Sequence, residues 1–520
     1  MKFVFVLCFT FLNCFPTYLS LKAAEKINLK FEGMSIPLSI DELSNLDINN
    51  KYSTELIDWF RNNGLEKVFQ FSKYLEFPIF KQDGFSKQIL RSWIGKKVLT
   101  ELSNTFIVPN DKNGIKVFNT IESLLEKKQE ISTLDILKEI PIDTVELDID
   151  NLLKIISSWK KAIEEQENLE KRFNLLVKQE NNINNNLDNV NNIKSSSKKI
   201  NLNVSHRENP LSLEIWYPNK NFEKELIIFM PGLGGDISNF RWLGSGLSKR
   251  GWPVIFIEHE GSNSEAFNAS IMRGDSLPGG ADIFLYRLKD LDSVINAFRQ
   301  DYFEINSKAY ILMGHSLGSL ISILYEGNLP KKDFAKRCEK GLNDFALTNL
   351  SKLLQCQLIE IPIPEFKKSL DLKAIIGFNS FGSLIWPTKK SSGIEVPILF
   401  IGGTFDLITP LLDEQFKLFA SNQSNKLNRF LVVEGASHFS PIRVVNKMSD
   451  ENINNDVFKI KKDLLGINPY DFQELSLSII IEFLGKLDQQ KGLEILQKTY
   501  LRNLKFYLFG EKEINKINKY

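Results

Sequence analysis

Histidine is nearly absent from this chain, with four in 520 residues. Any imidazole chemistry must therefore use His206, His259, His315 or His438. Cysteine is equally scarce at four. Cys8 and Cys14 fall in the N-terminal leader described below, and the remaining pair, Cys338 and Cys356, is too small a set for a metal site. In an oxidising compartment two such residues close together in sequence are expected to form a disulfide, against the alternative of two reduced core thiols. An excess of one charge is also missing. Lys and Arg total 65 against 64 Asp and Glu, so there is no bulk positive charge to draw a nucleic acid. No metal or organic cofactor is called for.

What is present begins with Met1-Lys2, an apolar run from Phe3 to Phe15, and a more polar stretch ending Lys22-Ala23-Ala24. That layout predicts a secretory signal over residues 1–24 and an exported protein. Lys22 is a poor residue for cleavage, which keeps an uncleaved anchor as the alternative. The apolar run is, however, shorter than the ~20 residues of a spanning helix. At 43% hydrophobic residues the chain can bury a large core, and its length calls for two domains.

Residues 25–150 open with alternation at Ile27-Asn28-Leu29-Lys30-Phe31, a turn at Glu32-Gly33-Met34 and a second run from Ile36 to Ile40, which predicts a hairpin. Ser39 with Glu42 reads as a capping box. Helical spacing follows at Leu56, Trp59, Phe60, Val68, Phe69 and Phe71, then at 89–102 and 115–125. This is expected to be a mainly helical domain with no visible chemistry. Residues 151–199 read as a long helix, carrying Leu152, Ile156, Trp159, Ile163, Leu169, Phe173 and Leu176, that dissolves into an Asn/Ser/Lys-rich linker. From 200 to 520 the texture changes. Short apolar runs at 226–230, 254–258, 310–314, 374–379, 397–403 and 430–435 alternate with helical stretches such as 240–250, 285–298 and 317–325. That alternation predicts a mostly parallel, doubly wound α/β sheet of the α/β-hydrolase type.

The chemistry centres on Gly314-His315-Ser316-Leu317-Gly318. Alone the pattern is weak, but a strand before it and a helix after it describe a nucleophile elbow. Such a turn lifts a serine hydroxyl clear of the sheet at the positive end of a helix. A serine needs a base, which in this fold follows it in the chain, and His438 is the one histidine beyond Ser316. The carboxylate that orients the base is expected to be Asp406, after the 397–403 strand, with Asp413 and Glu434 as competitors that read as solvated charges. For the oxyanion the amide of Leu317 supplies one donor. The loop Pro231-Gly232-Leu233-Gly234-Gly235 supplies another, from Leu233 or Gly234. A phosphate cradle is the alternative for that loop, but no Lys-Ser/Thr follows it. His259 and Ser262 lie on the same face as candidate pocket residues, His259 with a structural role as the stronger reading. His315 is expected to pack beneath the elbow. Residues 328–366, closed by the disulfide, would form a cap with Leu350, Leu353, Leu354, Ile359 and Ile361 facing an apolar group.

With these residues in place, the chain resembles the dienelactone hydrolase and platelet-activating-factor acetylhydrolase branch of α/β-hydrolases. It is most similar to the cyanobacterial members with an N-terminal domain of unknown function. The segments that carry the resemblance are Phe31-Glu32-Gly33, Gly95-Lys96-Lys97-Val98-Leu99, 230–235, 259–263, the Ser316 elbow, 402–410 and 434–440. It implies a Ser316, Asp406 and His438 triad and an ester substrate of a lipid or other apolar alcohol. The 181–197 linker is longer and richer in Asn than such relatives carry. Leu317 and Ser319 also depart from the pattern. Three functions follow as expectations: a serine esterase, an acyltransferase or thioesterase using the same triad, and a lipid or membrane-surface binding protein with a non-catalytic hydrolase scaffold.

Overall fold

The computed structural model describes residues 26–31, 33–40, 78–81, 105–109, 111, 114–128, 130–176, 181–182, 195–218, 224–266, 281–327, 332–343, 349–364, 369–387, 393–406, 408–422, 425–442, 467–487 and 489–517. The leader, the Glu42 half of the capping box and the helical spacing expected at 56–71 and 89–102 lie outside them, as does most of the 183–197 stretch. The chain divides into two compact units, 1–86 with 99–152, and 87–98 with 153–520.

The first unit is built on a sheet among its described residues. Strands β1 (Lys26–Phe31) and β2 (Met34–Ser39) form the expected hairpin, in register from Lys26↔Ser39 to Phe31↔Met34. Strand β3 (Pro78–Lys81) pairs outside that sheet with β5 (Glu130–Ser132). Strands β4 (Phe106–Ile107) and β6 (Thr144–Asp148) complete a four-stranded order β2-β1-β6-β4, with β6 parallel to β1. Helix α1 (Ile115–Lys127) buries Val117, Ile121, Leu124 and Leu125 on one face. Helix α2 (Thr133–Glu139) starts at a capping box between Ser132 and Asp135. Helix α3 (Ile149–Leu176) begins here and continues into the second unit.

The second unit has the α/β-hydrolase fold. After β7 (Asn181–Asn182), β8 (Ser197–Leu202) and β9 (Leu211–Trp216) come β10 (Leu226–Met230), β11 (Val254–Ile257), β12 (Tyr310–His315), β13 (Leu372–Phe378), β14 (Ile398–Gly403) and β15 (Arg429–Val433). The last six pair in parallel in the order β11-β10-β12-β13-β14-β15. Nearly all their residues are buried, because helices cover both faces and continuous Ile/Leu/Val/Phe runs suit a strand with no wet side. At the edges the sheet turns antiparallel, through β9 and β8 on one side and β17 (Leu504–Phe509) and β16 (Leu496–Leu501) on the other, and with β7 beside β16 it has 11 strands among the described residues.

Helices α4 (Arg241–Ser248), α5 (Ile283–Arg299), α6 (Leu317–Glu326), α7 (Phe334–Asn343), α8 (Ser351–Gln357), α9 (Phe416–Ser421), α10 (Pro469–Leu487) and α11 (Glu511–Ile517) follow in turn. Every residue of α6 is buried. Helix α3 does more than connect: Phe173 is fully buried, with ring centroids 5.9 Å from Phe416, 5.1 Å from Tyr507 and 5.3 Å from Phe509. Strand β7, in the stretch expected to be linker, adds to the sheet beside β16. Cys338 and Cys356 form a disulfide joining α7 to α8. Among the described residues no helix is long and apolar enough to cross a membrane.

Candidate active site

Ser316 lies between β12 and α6 with φ 52° and ψ −116°, a conformation that a side chain rarely adopts. Neighbouring structure enforces it: the Ser316 amide donates to Phe378 O at 2.9 Å, and its carbonyl accepts from Leu320 N at 3.1 Å. The flanking glycines are steric requirements. A Cβ on Gly314 would stand 2.3 Å from the Gly318 carbonyl carbon, and one on Gly318 would stand 2.0 Å from Met230 O. Side chains there would force the helix away from the sheet, and the hydroxyl would lose its position.

Asp406 and His438 sit on loops after the neighbouring parallel strands β14 and β15. Gly403 brings those loops together, since a Cβ there would lie 2.0 Å from Ala436 O. The Phe405 amide donates to Ala436 O at 2.9 Å, and the Gly435 amide donates to Thr404 Oγ1 at 2.9 Å. The His438 Nδ1 consequently stands 3.0 Å and 3.2 Å from the two carboxylate oxygens of Asp406. The carboxylate is buried and richly satisfied. Oδ1 accepts from the amides of Ile408 (2.9 Å) and Thr409 (2.8 Å). Oδ2 accepts from Asn379 Nδ2 (2.8 Å), Thr409 Oγ1 (2.5 Å) and Gln415 Nε2 (3.1 Å). Burial alone would push this carboxyl up. The charge and hydrogen bond of His438 and the bonds from Thr409 overcome that and hold it below the usual carboxylate range.

Neither competing acid takes this place. Asp413 pairs with Lys417, and Glu434 binds Lys505 and the Tyr507 hydroxyl.

Ser316 meets the pair through its neighbour. His315 is buried, its Nε2 donates to the backbone oxygen of His438 at 2.9 Å, and the two rings are 4.9 Å apart. Among the described residues no hydrogen bond joins Ser316 Oγ to His438. Such contacts commonly tighten only when substrate binds.

The glycine loop runs against the elbow, where a Cβ on Gly232 would lie 3.2 Å from Ser316 Cβ. Of the two donors expected from this loop, Gly234 is corrected: its amide donates to Ser262 O at 2.9 Å and is no longer available. The amides of Leu233 and Leu317 have no hydrogen-bond acceptor among the described residues. His259 and Ser262, named as candidate pocket residues, are engaged by other side chains, in line with the structural role that was the stronger reading for His259. Both are buried, His259 Nδ1 bonds Asp290 Oδ2 at 2.8 Å, and Ser262 Oγ accepts from Arg287 Nε at 2.8 Å.

Asp290 itself is a buried hub. Arg207 grips both its oxygens at 2.6 Å, and His206 Nε2 lies 2.8 Å away. Burial would raise this carboxyl, but the hydrogen bonds from His206, His259 and Arg207 hold it far below the usual range. The residues 328–366, expected as a cap, also meet the acid loop. Ser351 N donates to Ile408 O at 3.1 Å, while Asn349 and Gln355 donate to the buried carboxylate of Glu414. Of the apolar residues expected to face a ligand there, Leu354 and Ile361 pack into the core and Ile359 is exposed.

Asn379 and Arg287 escaped the sequence reading because they act through contacts distant in the chain, whereas Thr409 and Gln415, 3 and 9 residues from Asp406, escaped it because nothing local says that they turn back onto that carboxylate. The spacings of Arg287 and Asp290 on one helix and of Asp406 and Thr409 in one loop were the local signals.

The buried histidines set an acid limit to stability. Burial, reinforced by the charge of His438, pulls His315 down to about 3. Burial, with the charge of Arg287, pulls His259 down to about 4. From the ordinary 6.5, the unfolded chain takes up protons first as pH falls, so the stability contributed above 6.5 is lost toward 4. Glu258 opposes this. Burial and the charge of Asp236 raise it from 4.5 to about 7, so its contribution is full below 4.5 and is lost as pH rises through 7. Two histidines outweigh one carboxyl, and below 4.5 the offset stops growing. The melting temperature is expected to fall from pH 6.5 to 4, most steeply below 4.5. A constant value over that range would contradict the argument.

Comparison with known proteins agrees with the architecture. The family described as alpha/beta hydrolase of unknown function (DUF1400) matches residues 23–148. The chain is 23% identical over 235 residues to Cutinase 2 of Thermobifida cellulosilytica, covering 45% of this chain and 67% of that protein. It is likewise 23% identical over 235 residues to Cutinase cut1 of Thermobifida fusca, covering 45% of this chain and 55% of that protein. Against Cutinase est2 of Thermobifida alba the identity is 24% over 234 residues, or 45% and 58%. The matched stretch thus spans between just over half and about two thirds of these proteins.

Proposed function

We propose that the chain is a carboxylic ester hydrolase that works through an acyl-serine intermediate, with Ser316 as nucleophile, His438 as base and Asp406 as the carboxylate that orients it. The observation that carries this reading is the backbone of Ser316, held at φ 52° between a buried strand and a buried helix. Strain of this kind costs about 1–3 kcal/mol and persists where surrounding structure imposes it, commonly at reactive positions. The hydrogen-bonded His438 and Asp406 supply the base such a serine requires.

In the first half-reaction Ser316 Oγ bonds to the ester carbonyl carbon while His438 takes its proton. The carbonyl electron pair moves onto oxygen, where the amides of Leu317 and Leu233 receive the charge. As the pair returns, the ester C–O bond breaks and His438 gives its proton to the departing alkoxide. Water then attacks the acyl-serine, His438 taking one of its protons and passing it to Ser316 Oγ as the acyl C–O bond breaks. Free Ser316 and a carboxylic acid, which loses its proton to solvent, result. Because several relatives bear the name cutinase, an apolar ester is the substrate class we assign. The Cys338–Cys356 disulfide suits an oxidising compartment outside the cytoplasm, in keeping with the leader expected at residues 1–24.

The test is labelling of the full chain with a fluorophosphonate, followed by peptide mapping, beside hydrolysis of p-nitrophenyl butyrate. The label is expected on Ser316 with measurable turnover. A label on another residue, or none, overturns the reading.

A further inference from the structure

Arg287, on α5, is fully buried and directs its whole guanidinium at loop backbone and one hydroxyl. Nη1 donates to Pro231 O at 2.6 Å, Nη2 to Gly232 O at 3.0 Å and Ser262 O at 3.4 Å, and Nε to Ser262 Oγ at 2.8 Å. A buried cation is ordinarily paired with a carboxylate. The carboxylate one turn along the helix, Asp290, is instead taken by Arg207, His206 and His259. Among the described residues Arg287 makes no ion pair, so its charge stands behind the 231–235 loop and is met by peptide carbonyls. Burial pulls the guanidinium down to about 9, which leaves it protonated at neutral pH.

The geometry of that grip has a direction. A trans peptide carries its C=O and N–H on opposite sides, and no cis bond occurs among the described residues. The Gly232 carbonyl is held by Arg287 and by the Gly235 amide at 3.2 Å. The N–H of the same peptide, which belongs to Leu233, is thereby turned away from Arg287. Gly232 abuts Ser316, and the next amide along, that of Gly234, is consumed by Ser262.

We infer that Arg287 is the positioning residue of the oxyanion hole. It fixes the Gly232–Leu233 peptide so that the Leu233 N–H meets the oxyanion formed on attack by Ser316, and its charge polarises that peptide so that the donor is stronger. Arg287 itself does not touch the substrate. Ser262 is its second anchor, accepting from the guanidinium through its hydroxyl and from both the guanidinium and Gly234 through its carbonyl. The inference rests on the serine ester hydrolase reading given above.

The experiment compares the full chain with Arg287→Lys, Arg287→Met and Ser262→Ala. It measures kcat and KM on a p-nitrophenyl ester and on the matching thiono-ester, with active sites counted by fluorophosphonate titration. Lysine keeps the charge but, as a point donor, cannot span the carbonyls and the hydroxyl that a planar guanidinium reaches. Arg287→Lys is expected to lower kcat per active site by about 10²-fold, the scale of a lost oxyanion donor, with KM nearly unchanged. The preference for the oxo-ester should shrink in parallel, because a developing thiolate gains less from the same N–H. Ser262→Ala should move both readouts in the same direction by less.

If Arg287→Met does not fold, the other two variants decide. A kcat per active site close to that of the unaltered chain, or a loss with the oxo-to-thiono ratio unmoved, overturns the inference. If the unaltered chain itself neither labels at Ser316 nor turns over ester, the reading beneath it fails as well. That outcome is separable, because it appears before any variant is made.

Discussion

Ser316→Ala is expected to lower kcat toward a p-nitrophenyl ester by about 10⁶-fold and to abolish fluorophosphonate labelling, while the melting temperature changes little. The size follows from what is removed. Without Oγ there is no atom to form the acyl-enzyme, and His438 has no proton to take. What survives is the contribution of the oxyanion donors acting on water attack, about 10³–10⁴ above the uncatalysed rate. The small effect on stability follows from the contacts. The bonds that impose the elbow run through the backbone of Ser316, to Phe378 and Leu320, and alanine keeps them. Its hydroxyl makes no hydrogen bond among the described residues, so no buried partner is stranded. Retention of more than about a hundredth of kcat with folding intact would remove Ser316 from the nucleophile's role.

Asp406→Asn is expected to cost about 10⁴-fold in kcat, near 5 kcal/mol of transition-state stabilisation. The carboxylate accepts the Nδ1 proton of His438 and so leaves Nε2 as the lone-pair nitrogen toward Ser316. An amide cannot enforce that tautomer. The surroundings make the change harsher than a simple loss of charge. Each carboxylate oxygen already accepts from at least two donors besides His438. With its NH₂ in the place of either oxygen, Asn sets that group against backbone or amide N–H donors that the carboxylate had satisfied. At least one buried donor is left unmet and the His438 Nδ1 is turned toward the acceptor tautomer, so stability should fall by about 1–3 kcal/mol. Kinetics on folded protein, with the label still reaching Ser316 slowly, checks the assignment. A loss below about tenfold would show that another acid orients His438, or that none is needed.

Much of the catalytic unit was legible in sequence because its signals are local. Five-to-seven-residue apolar runs without polar alternation, too short for a core helix and rich in Ile, Val and Phe, read as strands covered on both faces, and all six parallel strands lie where those runs stand. The elbow glycines were equally readable, since a side chain at either position collides with neighbouring backbone. The edge strands β8, β9, β16 and β17 were missed. The exposed pattern of β8, Ser197-Lys198-Lys199-Ile200, resembles loop as much as strand, while β9 and β17 are mostly buried and their sheet partners are set by antiparallel pairing across the chain. In the first unit, helical spacing drew attention from Thr144–Asp148, whose strand character depends on a parallel partner more than a hundred residues earlier. The glycine loop was located but not resolved. Nothing in Leu233-Gly234 tells which amide is already used, and that choice belongs to Ser262 and Arg287.

By itself, the sequence determined the sheet core, the turn that strains Ser316, and the short roster from which an acid and a base could come. These depend on periodicity, on glycine's missing side chain and on the scarcity of histidine. Only the tertiary structure decided which side chains complete the site. Asn379, Thr409 and Gln415 converge on Asp406, and Arg287 reaches back to the loop after β10, because parallel strands bring their C-terminal ends to one edge of the sheet. The Asn379 and Arg287 contacts join residues tens of positions apart, and although Thr409 and Gln415 lie only 3 and 9 residues from Asp406, no local pattern of charge or hydrophobicity says that they turn back onto its carboxylate.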